Sequence, residues 1–174
     1  MERLKKGVVF SLLFLIWFFH GSTALAEMET VFSTEGSIQE SILKEMESAT
    51  SSVDLAIHEI TSLDMAEALV KAKQRGVKMR IVADSKRAKL KTSQISYLIH
   101  QGIPVKVLGG KERGMMNYRF VVLDGKRVLT GTFDWFGTAD KGNYESLLIV
   151  NEGEVVAAFQ KEFEKLWREK RVIQ

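Results

Sequence analysis

Apolar residues recur along the chain with two alternating periods. Ile38, Ile42, Leu43 and Met46 fall at helical spacing within Ser37 to Ala49, whereas Val53, Leu55 and Ile57 alternate as one face of a strand from Val53 to Ile60. A short strand at Thr30 to Ser33 precedes them. Leu63 to Arg75 reads as a second helix, opened by a Ser62 cap and closed by Gly76, and Val77 to Ala83 as the next strand. Thr92 to Gln101 is expected to be helical up to Gly102, and Pro104 to Leu108 extended. Beyond Gly109-Gly110 the pattern changes to a hairpin, with strands Arg119 to Leu123 and Arg127 to Thr132 joined at Asp124-Gly125-Lys126. A strand at Tyr144 to Val150 follows. The last element is a helix over Glu154 to Lys170, with Val155, Phe159, Phe163, Leu166 and Trp167 in one apolar stripe. This order predicts an α/β fold, a mixed sheet with helices packed on its faces.

The first 26 residues stand apart from this pattern. A basic start at Arg3, Lys5 and Lys6, an apolar run from Gly7 to Phe19, and Ala24-Leu25-Ala26 together read as a signal peptide cleaved after Ala26, followed by one domain over residues 27–174. A spanning anchor needs about 20 apolar residues, and His20, Gly21 and Ser22 end the run early. The expectation is an exported protein, periplasmic or secreted, without a stable membrane span.

Charge narrows little. The whole chain carries +3, and removing residues 1–26 takes away three cations and one carboxylate, leaving +1. A mature chain so near neutrality gives no general argument for nucleic acid. Cysteine is absent, so neither disulfides nor thiolate metal sites are expected.

The candidate chemistry lies in the hairpin. Asn117-Tyr118-Arg119 is followed by Asp124, then by Gly131-Thr132-Phe133-Asp134 and Asn143-Tyr144-Glu145. In spacing this resembles the His-x-Lys-x4-Asp and Gly-Ser-x-Asn signature of the phospholipase D superfamily, in its short, single-motif, exported bacterial nuclease type. Ser51 to Ile57, Lys71 to Val77 and Gly102 to Val105 extend the likeness over the rest of the chain. The resemblance implies a phospholipase D-like sheet flanked by helices on both faces and a two-step displacement at phosphorus through a phosphohistidine, with no metal and no cofactor. It also implies a homodimer whose half-sites meet on a two-fold axis.

The reactive residues depart from that signature. Asn117 stands where the nucleophilic His belongs, Arg119 for the Lys and Asp134 for the phosphate-contacting Asn. Asp124 is unchanged, Thr132 keeps the hydroxyl, and Glu145 holds the position whose carboxylate orients the missing His. Arg119, Thr132 and Asp134 are therefore the expected phosphate contacts. Asp134 is also expected to pair with Arg119, and Glu145 either to pair with Arg119 or to face solvent. Phe136 narrows the pocket. His58, at the end of its strand, is a substitute nucleophile or a locally hydrogen-bonded residue. Lys86, Arg87, Lys89 and Lys91, with Lys111 and Arg113, form basic loops that either hold phosphates or are simply solvated.

Three functions remain open: a phospholipase D-like domain with little or no turnover that binds a phosphodiester, from nucleic acid or phospholipid, or another protein; an active metal-independent phosphodiesterase; and a purely structural or interaction domain.

Overall fold

The computed structural model describes residues 27–110, 112, 114–135 and 142–170. The proposed signal segment, Lys111, Arg113 and Phe136 lie outside the described residues.

Seven strands and four helices follow one another as β1 (Met28–Phe32), α1 (Ile38–Ser48), β2 (Ser52–Ile57), α2 (Leu63–Gln74), β3 (Lys78–Asp84), α3 (Ile95–His100), β4 (Val105–Leu108), β5 (Arg119–Leu123), β6 (Arg127–Gly131), β7 (Ser146–Val150) and α4 (Gly153–Arg168). The sheet order is β1-β7-β6-β5-β2-β3-β4. β2, β3 and β4 run parallel, joined through helices, whereas β5, β6, β7 and β1 are antiparallel to their neighbours. The expected mixed sheet is therefore present.

Alternation along the strands separates two cores. Val53, Leu55, Ile57, Val121 and Leu129 face α1, α2 and α3 through Ile42, Met46, Met65, Leu69 and Leu98. Ala56, Val82, Phe120, Val122 and Val128 face α4 through Val156 and Phe163. Phe163 is fully buried, and Phe159 meets the Phe120 ring edge-on at 5.0 Å.

α4 is also held by charge. Arg80 on β3 forks onto Asp54 at 2.8 and 2.7 Å and reaches Glu164 at 2.6 Å, while its guanidinium lies 5.0 Å from the Phe163 ring centre. Gln160 donates to the same Asp54 carboxylate at 2.7 Å. A planar fork fits this bidentate and stacked position in a way that an ammonium does not.

Several boundaries differ from expectation by one to three residues, three of them for a visible reason. β2 stops at Ile57 because the chain leaves the sheet, and Ile60 instead bridges Trp135. α3 begins at Ile95 because residues 92–94 form a connection in which the Gln94 N–H donates to the Ile60 carbonyl at 2.8 Å. β1 begins earlier, at Met28, because its partner β7 extends to Val150.

The topology brings one set of ends together. The carboxyl ends of β1, β2, β3, β4 and β6 and the amino ends of β5 and β7 form a single edge of the sheet, here called the upper edge. Ligands of open α/β sheets gather at such an edge.

Candidate functional site

β5 enters the sheet at Arg119, opposite Ile57 at the end of β2. Asn117, Arg119, Thr132, Asp134 and Glu145 consequently meet at the upper edge. Asp124 does not join them. It closes the hairpin at the other end of β5, in the left-handed region at φ 55°, a conformation that Asp tolerates better than most residues. Its carboxylate accepts from the N–H groups of Thr50, Ser51 and Ser52 and from the hydroxyls of Thr50 and Ser51, at 2.7–3.2 Å. Burial opposes its ionisation, but these donors outweigh burial and hold the carboxyl well below the usual range. Asp124 therefore staples the hairpin to the α1–β2 connection and is not part of the reactive cluster.

Arg119 is paired. Its Nη2 donates to Asp134 Oδ2 at 2.7 Å, with side chains 24% and 11% exposed, so its charge is largely neutralised before any anion arrives. The pair is incompletely satisfied: Arg119 Nε and Asp134 Oδ1 are buried without a partner among the described residues. A buried donor and acceptor left in this way weaken the structure.

Thr132 and Glu145 bind each other. The Thr132 hydroxyl donates to the Glu145 carboxylate and accepts from the Ser146 N–H at 3.0 Å. The backbone of Glu145 is tied to Ser33, whose Oγ accepts from its N–H at 2.9 Å. Of the two roles expected for Glu145, neither is found, because the neighbouring hydroxyl is closer to hand than Arg119. Gly131 makes this approach possible: a Cβ there would lie 2.0 Å from the Ser146 carbonyl oxygen. Gly131→Ala is expected to force β6 and β7 apart and lower stability by about 2 kcal/mol, measurable as a reduced urea midpoint.

His58 is buried at 5% exposure, with Nδ1 3.2 Å from the Met116 carbonyl oxygen. Since a carbonyl only accepts, Nδ1 carries the proton. The Met116 N–H donates to Asp84 Oδ2 at 3.0 Å. His58 and Asp84 thus grip the residue immediately before Asn117 from both sides. Burial and this engagement with the Met116 carbonyl argue for the locally hydrogen-bonded role of His58 over that of a substitute nucleophile.

Two buried acids went unnoticed in the sequence. Asp84, wholly buried, also accepts from the N–H groups of Lys86 and Arg87, each at 3.0 Å, and Glu59 lies 3.5 Å from Arg87. The available signal was Asp84-Ser85 closing an apolar strand, a pattern that favours a side-chain-capped turn.

Beside Asn117 opens a cleft of about 620 Å³, bounded by Gly109, Gly110, Met115, Tyr118, Glu162 and Leu166. Tyr118 donates to Glu162 at 3.2 Å, and burial together with that carboxylate raises its phenol above the ordinary value. Among the described residues its charged lining is acidic, from Glu112, Glu162 and Glu169. Among the described residues no cluster of His, Asp and Glu is arranged to hold a metal, and no helix is long and apolar enough to cross a membrane.

Comparison with known proteins agrees with this fold. A family model described as cardiolipin synthase, PLD-like domain, matches residues 42–167. The mitochondrial cardiolipin hydrolase of Drosophila melanogaster is 32% identical over 147 residues, covering 73% of this chain and 57% of that protein. The chain thus spans little more than half the length of this curated relative. Among solved structures, Nuc from Salmonella typhimurium, a phospholipase D family member, superposes with TM-score 0.76 at 26% identity over 84% of this chain and 97% of its own. NucT from Helicobacter pylori gives 0.69 at 27% identity over 81% and 96%. The expectation of an exported, periplasmic or secreted protein is overturned by the curated relatives, which are mitochondrial cardiolipin hydrolases.

Proposed function

We propose a function on the premise that this chain belongs to the phospholipase D superfamily, a membership established by the matched family model and the curated relatives: it is a phospholipase D-like domain with little or no phosphodiesterase activity, which retains weak phosphodiester binding. The observation that carries the reading is the Arg119–Asp134 ion pair beside Asn117. A carboxamide nitrogen shares its lone pair with the carbonyl, so Asn117 neither attacks phosphorus nor carries a proton. Asp134 then places a carboxylate where a phosphate oxygen would sit and occupies the one cation of the motif.

The phosphodiester is that of a nucleic acid or a phospholipid, since both present the same group to this motif; the curated relatives are named for a phospholipid, cardiolipin. The domain pairs about a two-fold axis through the upper edge, so that two neutralised half-sites face each other. Binding is accordingly weak and salt-sensitive.

Asp134→Asn tests this directly. Removing the competing anion frees Arg119 and is expected to tighten phosphate or a short oligonucleotide about tenfold in calorimetric titration, with sedimentation reporting the dimer. Unchanged or weaker binding in the variant, or a strict monomer, would favour the purely structural reading.

A further inference from the structure

Eight large apolar side chains are exposed among the described residues, and six of them, Phe32, Leu63, Leu90, Met115, Tyr118 and Tyr144, lie at the upper edge. Such clustering on one side of a domain marks an interaction surface. Two of the six occupy adjoining connections. Leu90, 43% exposed, follows a single 3₁₀ turn at Arg87–Lys89 after β3, and Leu63, 50% exposed, opens α2.

The two connections are fastened together. The Gln94 N–H and side-chain amide donate to the Ile60 and Thr61 carbonyls at 2.8 and 3.3 Å, and Arg87 approaches Glu59. Asp84 holds the turn from below through the N–H groups of Lys86 and Arg87. The projecting loop is therefore preformed, and an aliphatic tip is interleaved with exposed Lys86, Lys89 and Lys91.

We infer that this loop is a docking element for an anionic bilayer surface. Aliphatic tips gain by entering the interface between headgroups and acyl chains, while flanking lysines lie at the level of the lipid phosphates. Glu35, Asp64 and Glu112 are exposed acids on the same edge and weaken the field, but none interrupts the run from Lys86 to Lys91. Nucleic acid fits this loop less well, since Leu90 and Leu63 offer no ring for a base to stack on and the exposed rings of Phe32, Tyr118 and Tyr144 lie on other connections. The inference does not depend on whether Arg119 binds phosphate. It places the upper edge against lipid even if the cleft remains empty.

The absence of cysteine allows a position-resolved test in the full chain. Leu90→Cys and Ile99→Cys each carry a single environment-sensitive dye. Ile99 is comparably exposed, but it lies in the last turn of α3 on the way to the lower edge. With vesicles of phosphatidylcholine and phosphatidylglycerol, emission at position 90 is expected to rise about threefold and to fall back with salt, while position 99 changes little and phosphatidylcholine alone has little effect. Adding Lys86→Gln, Lys89→Gln and Lys91→Gln is expected to raise the lipid needed about a hundredfold, at roughly fivefold per lysine. No response at position 90, an equal response at 99, or a response to a short oligonucleotide in place of vesicles would overturn the proposal. Insertion of the apolar run within residues 1–26 alone leaves position 90 unchanged and so counts against it.

Discussion

Replacing Asn117 by His, Arg119 by Lys and Asp134 by Asn together raises metal-free hydrolysis of bis-p-nitrophenyl phosphate by at least about a hundredfold over the wild-type chain, whereas Asn117→His alone stays within about tenfold of background. The asymmetry follows from the ion pair. A histidine in place of Asn117 restores a nucleophile, but Asp134 still holds Arg119 at 2.7 Å and still repels an approaching phosphodiester. Changing Asp134 to Asn returns a neutral donor to that position, and the lysine that replaces Arg119 then offers a compact charge to the developing oxyanion. Glu145 is engaged by Thr132 and must turn towards the new imidazole to orient it. Strong turnover from Asn117→His alone would show that Asp134 is no obstacle.

Stability depends strongly on a residue that the motif presents as catalytic. Asp124→Ala is expected to lower stability by about 3 kcal/mol, because three backbone N–H groups lose their acceptor and alanine tolerates φ 55° poorly. For a domain of this size that corresponds to roughly 6–10 °C in Tm. Asp124→Asn separates charge from conformation, since Asn accepts the left-handed backbone. The pH dependence has a definite sign. The folded carboxyl is held below its unfolded value of about 3.9, so its stabilisation is complete above that value and is lost as pH falls towards the lowered one. The wild type should therefore lose more stability than Asp124→Asn between about pH 4 and pH 2 in urea titrations. Parallel acid limbs would assign the stapling to geometry alone.

The fold was legible because each element announces its own period. The alternation of Val53, Leu55 and Ile57 and the stripe ending in Phe163 and Trp167 each place one face on a core, and the two cores contain those residues or their neighbours. What eluded the sequence are places where tertiary contacts override local pattern. His58-Glu59-Ile60 continues the strand in composition, yet the chain turns away so that Ile60 meets Trp135. The Arg119–Asp134 pair was legible because motif spacing fixes Arg119 at the start of β5 and Asp134 just beyond the end of the adjacent β6. The grip of His58 and Asp84 on Met116 was not, since a solitary acid or imidazole at a strand end gives no period and its partner lies 32 or 58 residues away. Asp124 was ambiguous for a related reason: Asp-Gly suits a hairpin whether or not its carboxylate has another task, and only the Thr50 to Ser52 donors decide between them.

The proposed function stands or falls with the chemical silence of the motif on its phospholipase D-like scaffold. Its most direct test is metal-free turnover by the wild-type full chain on bis-p-nitrophenyl phosphate and on DNA in the presence of a chelator, with the triple variant as positive control. No product above buffer background is expected from the wild type. Turnover that scales with protein and disappears in Arg119→Ala would contradict it.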